Sequence, residues 1–416
     1  MLHKIKRFVS YMIVLALVPS LCKAMVFDNR FIPLFQWRRL VIEGLPSVIE
    51  MDAMFATASS ASGPQEDEIG IPEIFGTLDQ GKLSNALDIV GKPNPLRTDW
   101  RGAKIPWAMT GKLQAQGAEF FYHQAITQHL SVGASWLFMR SNTSQEFILK
   151  DDRSTMDHVS LLLGPSDKQE LNDELREMFR VIGIKSNTAH QTGFGDIDAY
   201  IRGGGTWDFT LRCRRIDAGA RVGVLMGSGV LRDINNPASI PYGGNGHWGM
   251  YGALDALFEV KEDIKVGCLL RLNKRFAKTS KQRISVAGEP FIFGAAVGDV
   301  NVNPGVTFIC SPWFMLENLR EGLGAGVFYT LTIHQQDEWN NVRPCPPVPV
   351  CITETERVSG WSSSYFTVLV LYDFGRMRVV RDFAPVVSLR WDIPSMFKAK
   401  FVPNTHKVAL GISFNF

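Results

Sequence analysis

The last twelve residues of the chain alternate between apolar and polar side chains and end on an aromatic residue. In an extended strand, neighbouring side chains point to opposite faces, so residues two apart share a face. One face of residues 405–416 carries His406, Val408, Leu410, Ile412, Phe414 and Phe416. The other face carries Lys407, Gly411, Ser413 and Asn415. An apolar face that runs to the chain terminus predicts a strand between an apolar medium and a polar interior.

The N-terminus has the pattern of a secretory signal peptide. Lys4 and Lys6 precede an apolar stretch at 8–21, and Ala24 supplies a small residue at a cleavage point. The apolar stretch is shorter than the roughly 18–20 residues that a membrane-spanning helix needs. We therefore expect a cleaved signal peptide at 1–24, followed by a periplasmic segment at 25–45.

The alternation recurs along most of the chain and predicts twelve strands. The clearest pair is 248–260 and 264–275. In the first of these strands, Met250 and Leu254 share a face that lies opposite Asp255. The other predicted strands are 47–57, 111–127, 130–141, 195–211, 217–227, 306–316, 322–334, 361–374, 382–392 and 405–416.

The connections between these strands are alternately short and long. Long loops are predicted at 59–109, 142–194, 228–246, 277–304 and 337–360. Brief turns on one side and long loops on the other are typical of a transmembrane β-barrel, and single-chain barrels have an even strand number. The sequence therefore predicts an all-β fold, a transmembrane antiparallel β-barrel over 46–416 with about 12 strands (roughly 10–14). The range reflects residues 284–300, which can hold an additional hairpin.

Two loop segments have helical patterns. Residues 78–90 predict a short helix within the first long loop. In residues 166–181, the apolar residues Leu171, Leu175 and Met178 recur at helical spacing, with charged residues between them. We interpret the second segment as a small amphipathic helix that covers a loop, with partner binding as the alternative.

The chain resembles Gram-negative outer-membrane β-barrels, of the porin or hydrophobic-compound channel type. The resemblance rests on the N-terminal signal pattern, the alternating strands and the terminal Phe416. It implies an integral location in the bacterial outer membrane, contact with membrane lipids, no cofactor, and recognition of Phe416 by the barrel-assembly machinery as an assembly signal. The sequence Gly-Asp-Ile-Asp at 195–198 is loosely similar to barrels that pass hydrophobic or aromatic compounds.

Charged residues on the polar strand faces are the candidate lumen-lining residues. They are Glu50, Asp52, Asp196, Asp198, Arg202, Asp208, Arg221, Asp255, Glu259, Lys265, Arg271, Arg275, Asp373, Arg390 and Asp392. In a conducting barrel, these charges would select solutes by charge and size. In a closed barrel, they would pair with one another and fill the interior. The sequence leaves both interpretations open.

The sequence also bears on chemistry and function. Cys345 and Cys351 lie six residues apart in a proline-rich loop and are a candidate disulfide. No histidine spacing suggests a metal site, and a net charge of +3 gives no reason to expect nucleic-acid binding. We expect a channel or transporter for small solutes rather than an enzyme. The alternatives are a structural or surface-interaction barrel, and a hydrolase that uses His158 and Ser160.

Tryptophan and tyrosine residues near strand ends form a further pattern. Aromatic side chains in these places are typical of the interfacial girdles of a membrane barrel. The candidates are Trp136, Trp207, Trp248, Trp313, Trp361, Trp391, Tyr329 and Tyr372.

Overall fold

In a computed structural model, twelve antiparallel strands form one closed sheet, which confirms the predicted fold class. The structure describes residues 29–33, 47–150, 165–208, 213–343, 348–376 and 385–416. In chain order, the barrel strands are β1 (Ser47–Ala58), β2 (Pro106–Ala125), β3 (Leu130–Leu149), β4 (Ile197–Asp208), β5 (Arg215–Met226), β6 (Gly249–Lys261), β7 (Ile264–Arg275), β8 (Val306–Arg320), β9 (Leu323–His334), β10 (Trp361–Asp373), β11 (Val386–Lys400) and β12 (His406–Asn415).

The sheet closes where the first strand meets the last. β1 pairs with β2 on one side and with β12 on the other, and Val48 lies opposite Asn415. The main chains of Ser47 and Phe416 exchange two hydrogen bonds, at 3.0 and 3.1 Å between nitrogen and oxygen. The predicted strand at 47–57 is thus the strand that the barrel needs for closure.

Apolar side chains cover the outside of the barrel wall. On β5 and β6, Val222, Met250 and Leu254 are 69%, 53% and 59% exposed. Their strand neighbours Tyr251 and Ala253 point inward and are buried. Large apolar side chains at this exposure are stable against hydrocarbon, which is the environment of a transmembrane barrel. None of the helices in the described part of the chain is long and apolar enough to cross a membrane.

β2 and β3 are longer than predicted, at 20 residues each. In the first half of β2, Trp107, Met109 and Leu113 point inward and are buried, whereas Lys112 and Gln114 point outward and are exposed. This is the pattern of a strand in water, the reverse of a lipid-facing wall. The two strands therefore rise above the apolar band.

The long connections pack together at one end of the barrel into a cap. Three helices belong to it: α1 (Gln80–Ile89), α2 (Pro165–Ile182) and α3 (Thr353–Ser359). The cap also contains the short strands Ala61–Ser62, Glu68–Ile69, Leu78–Asp79, Thr188–Phe194, Lys278–Ile284, Ala296–Asn303, Glu338–Asn341 and Val402–Pro403. The 3₁₀ turns are Ile71–Phe75, Thr98–Trp100, Phe291–Phe293 and, at the opposite end of the barrel, Phe374–Arg376.

Both predicted helices form, and an apolar core explains why they pack. The carboxylate of Asp79 accepts a hydrogen bond from the Gly81 main chain at 3.0 Å and caps α1. Leu171, Leu175 and Met178 of α2 are buried in the same core as the apolar residues of α1. In place of the additional hairpin predicted within residues 284–300, the strands Lys278–Ile284 and Ala296–Asn303 pair in a separate three-stranded sheet of the cap and add no strand to the wall.

Residues 29–33 also belong to the cap. Phe31 and Ile32 are buried in its core, and Thr405 Oγ1 donates a hydrogen bond to the Phe31 carbonyl at 2.6 Å. Ser47 lies at the opposite end of the barrel, beside Phe416 and next to the short turns. This part of the predicted periplasmic segment 25–45 therefore lies on the side of the long loops, because its apolar residues are buried there.

Several predicted features fall outside the described residues. They are the signal peptide at 1–24, the His158 and Ser160 pair, and Cys345. Cys351 is described, and its disulfide with Cys345 stays a prediction.

The aromatic girdle prediction is wrong for two residues. Trp313 and Trp361 are 6% and 5% exposed and point into the interior, where Trp313 packs against the ring of Phe328. Trp207, Trp248 and Trp391 point outward and are about half exposed. A tryptophan near a strand end belongs to the girdle only if its side chain points outward. Its position along the strand therefore does not predict the girdle by itself.

The outward face of β6 gives a direct test of the membrane band. Leu254→Arg places a charge at the middle of the wall, and we expect it to lower the free energy of unfolding by about 2–4 kcal/mol. Ile89→Arg, at an exposed site at the end of α1, should change it by less than about 0.5 kcal/mol. Denaturant titration of protein refolded into phospholipid vesicles measures both. Equal effects would contradict the assignment of this face to lipid.

Candidate functional site

The barrel interior is crossed by charged side chains in ion-paired groups. In the first group, Lys407 contacts Glu119 at 2.6 Å and Asp392 at 3.5 Å. Arg390 contacts the same Glu119 at 3.2 Å and Asp52 at 3.0 Å. These five side chains, from four different strands, are at most 3% exposed. We call them the β1–β12 cluster.

A second group lies on β4, β5 and β6. The carboxylate of Asp255 contacts Arg202 at 2.7 Å and Arg221 at 2.9 Å. Arg202 is also paired with Asp217. One carboxylate is thus shared by two guanidinium groups, and one guanidinium by two carboxylates. We call this the β4–β6 cluster.

The two neighbouring aspartates Asp196 and Asp198 each hold an arginine of β7. Asp198 contacts Arg271 at 2.8 Å and accepts a hydrogen bond from the Tyr251 hydroxyl at 2.7 Å. The Arg271 guanidinium lies 3.4 Å from the centroid of the Tyr251 ring. Asp196 contacts Arg275 at 2.8 Å and accepts main-chain hydrogen bonds from Gly229 and Gly244. Asp196 therefore ties the 228–246 loop to the barrel wall.

Near the end with the short turns, the interior contains an ionic layer and an apolar layer. Glu317 contacts Lys265 at 2.8 Å and Arg376 at 2.6 Å, and Arg376 also reaches Asp263 and Asp373. The apolar layer consists of Trp313, Met315, Phe328, Leu369, Leu371 and Val386.

The structure places most of the predicted lumen residues in these groups. Glu50 and Glu259 are half-buried, and Glu259 lies 3.6 Å from Arg214. Asp208 is exposed at the turn end of β4 and lies outside the interior. Sequence reasoning missed Glu119, Asp217 and Glu317, which complete three of the ionic groups. The inward face of β2 would have identified Glu119, because Phe121 and His123 follow it on the same face.

A cavity of about 170 Å³ lies between the barrel rim and the cap. The rim contributes Arg275, His334 and Trp361, which stand at the cap ends of β7, β9 and β10. The cap contributes aromatic rings and two arginines, which are Phe31, Phe75, Phe291, Trp339, Arg30 and Arg232. Since roughly 10–15 Å³ of such volume holds one water molecule, this cavity admits a small organic molecule.

The two cap arginines differ from the arginines of the interior. Arg30 donates hydrogen bonds to the carbonyls of Val358 and Ser359, both at 3.1 Å. Arg232 donates to the carbonyl of Pro237 at 3.3 Å. Both guanidinium groups lie over the ring of Phe75, at 5.5 and 4.6 Å from its centroid. Among the ion pairs of the described residues, none involves either group.

Burial acts on both of these cations. It lowers the pKa of Arg232 to about 9, and the positive charge of Arg30 lowers that pKa further. Burial also lowers the pKa of Arg30 to about 10, with Asp337 acting in the opposite direction. Both side chains remain charged at neutral pH, and each destabilises the charge of the other.

Asp337, the acid among the described residues that line this cavity, has partners of its own. The Asp337 carboxylate accepts a hydrogen bond from the Gly305 main chain at 2.9 Å and contacts His334 Nε2 at 2.9 Å. His247 also lines the cavity, and its Nδ1 lies 2.9 Å from the Phe276 carbonyl. Burial lowers the pKa of His247, which favours the neutral imidazole. Within the described residues, no group of three or more metal-ligating side chains occurs.

The ion pair between Asp198 and Arg271 tests how strongly the interior is fixed by charge. Asp198→Asn removes the carboxylate that contacts the buried Arg271, and we expect a loss of about 3–5 kcal/mol in unfolding free energy. The double variant with Arg271→Met removes both charges and should lose less than the single variant. Arg180→Gln breaks an exposed pair on α2 and should change stability by less than about 0.5 kcal/mol. A double variant that is less stable than Asp198→Asn would contradict the pairing.

The fold resembles solved outer-membrane barrels at low sequence identity. An outer membrane channel from Pseudomonas putida F1 is 9% identical, and the match covers 94% of this chain and 98% of that one with a TM-score of 0.50. The translocator domain of the autotransporter NalP from Neisseria meningitidis is 9% identical over 90% of each chain, with a TM-score of 0.36. A FadL homologue from Pseudomonas aeruginosa is 8% identical over 89% of this chain and 90% of that one, with a TM-score of 0.31.

Sequence comparison adds nothing to these structural likenesses. No protein-family model matches the chain, and no curated protein sequence does. The closed sheet of twelve strands and the outward apolar band indicate an outer-membrane barrel fold, and so does the structural similarity to the Pseudomonas putida channel. The chain has the fold of a bacterial outer-membrane β-barrel.

Proposed function

We propose that the protein is a channel that passes small solutes across the outer membrane through the barrel interior. The observation that carries this proposal is the composition of the interior. Between the cap cavity and the apolar layer at the turn end, the barrel is crossed by charged side chains, and each main ionic group shares its charges among several partners. The structural likeness to an outer membrane channel supports the proposal.

Shared charges allow the interior to rearrange at low free-energy cost. Glu119 contacts both Arg390 and Lys407, and Asp255 contacts both Arg202 and Arg221. A side chain that moves away from one partner can leave that partner with another opposite charge. Charges that remain paired or reach water avoid the penalty of an isolated buried ion. An apolar plug of the same volume would have no such alternative arrangements.

The cap controls access to this interior. Residues 59–109 contribute α1, and 142–194 contribute α2, and the two helices share one apolar core over the barrel mouth. The Gln80 side chain links α1 to the Leu171 carbonyl and to the Trp107 indole, at 3.1 and 3.0 Å. Solutes therefore enter through the cap cavity or after displacement of the cap.

Ion selectivity tests the proposed route. Removing both cations that hold Asp255, with Arg202→Gln and Arg221→Gln, should make the channel more cation-selective. A unit charge about 4–8 Å from a passing ion in water-like surroundings contributes about 0.5–1 kcal/mol, which is a two- to fivefold change in permeability ratio for each charge. Reversal potentials in planar bilayers under a salt gradient measure this ratio.

The control is Arg180→Gln, which removes an exposed charge on α2 and should leave the ratio unchanged. A wild-type barrel that is folded, as judged by its heat-modifiable mobility, yet gives neither current nor liposome swelling would contradict the channel proposal. Selectivity that is equal in all three proteins would show that ions do not pass the β4–β6 cluster.

A further inference from the structure

Among the described residues that line the cap cavity, positive charge is in surplus. Arg30, Arg232 and Arg275 line it, and Asp337 is the acid that lines it with them. Arg275 is satisfied by Asp196 at 2.8 Å. Asp337 favours the charged form of Arg30 but is itself hydrogen-bonded to Gly305 and His334. Arg232 thus remains as a half-buried cation with one carbonyl partner among the described residues.

The donors that these arginines leave unused are numerous. A guanidinium group carries five N–H donors in a planar fork. Arg232 uses one of them, through Nη2, and Arg30 uses its Nη1 and Nη2 groups toward main-chain carbonyls. In the barrel interior, the buried Arg271 and Arg390 are each matched by a carboxylate. An incoming anion would supply what the cavity lacks.

The walls of the cavity are flat and apolar. Phe75 lies beneath both guanidinium groups, and its ring meets Phe291 edge-on at 5.4 Å between centroids. Phe291 in turn meets Trp339 at 5.5 Å. Trp361, from the barrel rim, is stacked on the ring of His334 at 5.6 Å. Aromatic walls favour a ligand with a flat apolar body, through stacking and edge contacts.

We propose that this cavity is a binding site for a small organic anion with a flat apolar body, such as an aromatic carboxylate. Arg232 is the main anchor for the carboxylate, Arg30 is the second, and the aromatic walls hold the ring. The proposal deepens the proposed function, since it names the class of solute that the channel takes from outside. It predicts recognition by charge as well as by shape, which a purely apolar cavity would not give.

Paired ligands of equal shape test the proposal on the full-length protein refolded in detergent. Titration calorimetry with benzoate and with its neutral isostere benzamide should give tighter binding of benzoate in the wild type, by roughly 10- to 100-fold. Arg232→Gln should remove most of this preference and leave benzamide binding unchanged. Arg232→Lys keeps the charge and should retain part of the preference, whereas the exposed control Arg180→Gln should retain all of it.

Acetate tests the aromatic walls and should bind at least roughly tenfold more weakly than benzoate, because it lacks the apolar body. Equal affinity for benzoate and benzamide in the wild type, or an unchanged preference in folded Arg232→Gln protein, would overturn the proposal. Heat-modifiable mobility shows whether each variant is folded. Bilayer current without benzoate binding would overturn this site and leave the channel function standing. Benzoate binding without current or swelling would support the site and contradict the channel.

Discussion

Every strand of a barrel in hydrocarbon must have a hydrogen-bonded neighbour on both sides, and this requirement determines the structure. An exposed N–H or C=O group costs several kcal/mol where no water can reach it. The pairing of β1 with β12 meets the requirement by joining residues near 50 to residues near 410. Once the sheet is closed, the alternation of side chains along each strand determines the environment of every residue. Within the apolar band, each residue of the wall faces either lipid or the enclosed interior.

Charged side chains in the enclosed interior must then pair with side chains of opposite charge. Twelve strands enclose a narrow space, and charged residues from distant parts of the chain meet in it. Asp52 and Arg390 are separated by most of the sequence, yet their side chains lie 3.0 Å apart. The β1–β12 cluster and the β4–β6 cluster both share charges among more than two partners. Arg30 and Arg232, which line the cap cavity, belong to none of the ion pairs of the described residues, and together with the aromatic walls this is why we propose that a solute binds there.

The barrel wall could be predicted from the sequence because its signal is local. Alternation within 248–275 identifies the outward Met250 and Leu254 and the inward Asp255 without any knowledge of the other strands. The same reasoning failed where the environment changes along one strand. In β2, every second residue from Trp107 to His123 points inward. The residues that point outward change from polar to apolar where the strand enters the membrane. The predicted strand 111–127 missed the first five residues of β2.

The cap cavity could not have been predicted in this way. Arg30 and Arg232 lie in segments without periodicity, about two hundred residues apart, and only the packing of several loops brings them over one phenylalanine ring. Nothing in either local sequence distinguishes these arginines from exposed ones. Asp196 and Asp198 were easier to predict as interior residues, because both lie on the polar face of a predicted strand. The arginines of β7 that contact them lie in the same interior.

The position of residues 29–33 has a consequence for the order in which the molecule is completed. The hydrogen-bond partners of Arg30 are the carbonyls of residues 358, 359 and 401, and Phe31 is held by Thr405. The beginning of the described chain is thus fastened by α3 and by the connection between the last two barrel strands. During synthesis from the N-terminus, these contacts are absent until nearly the whole chain exists. A truncated or stalled barrel would therefore have an unfinished cap, and the mouth of the barrel takes its final form only when the wall is closed.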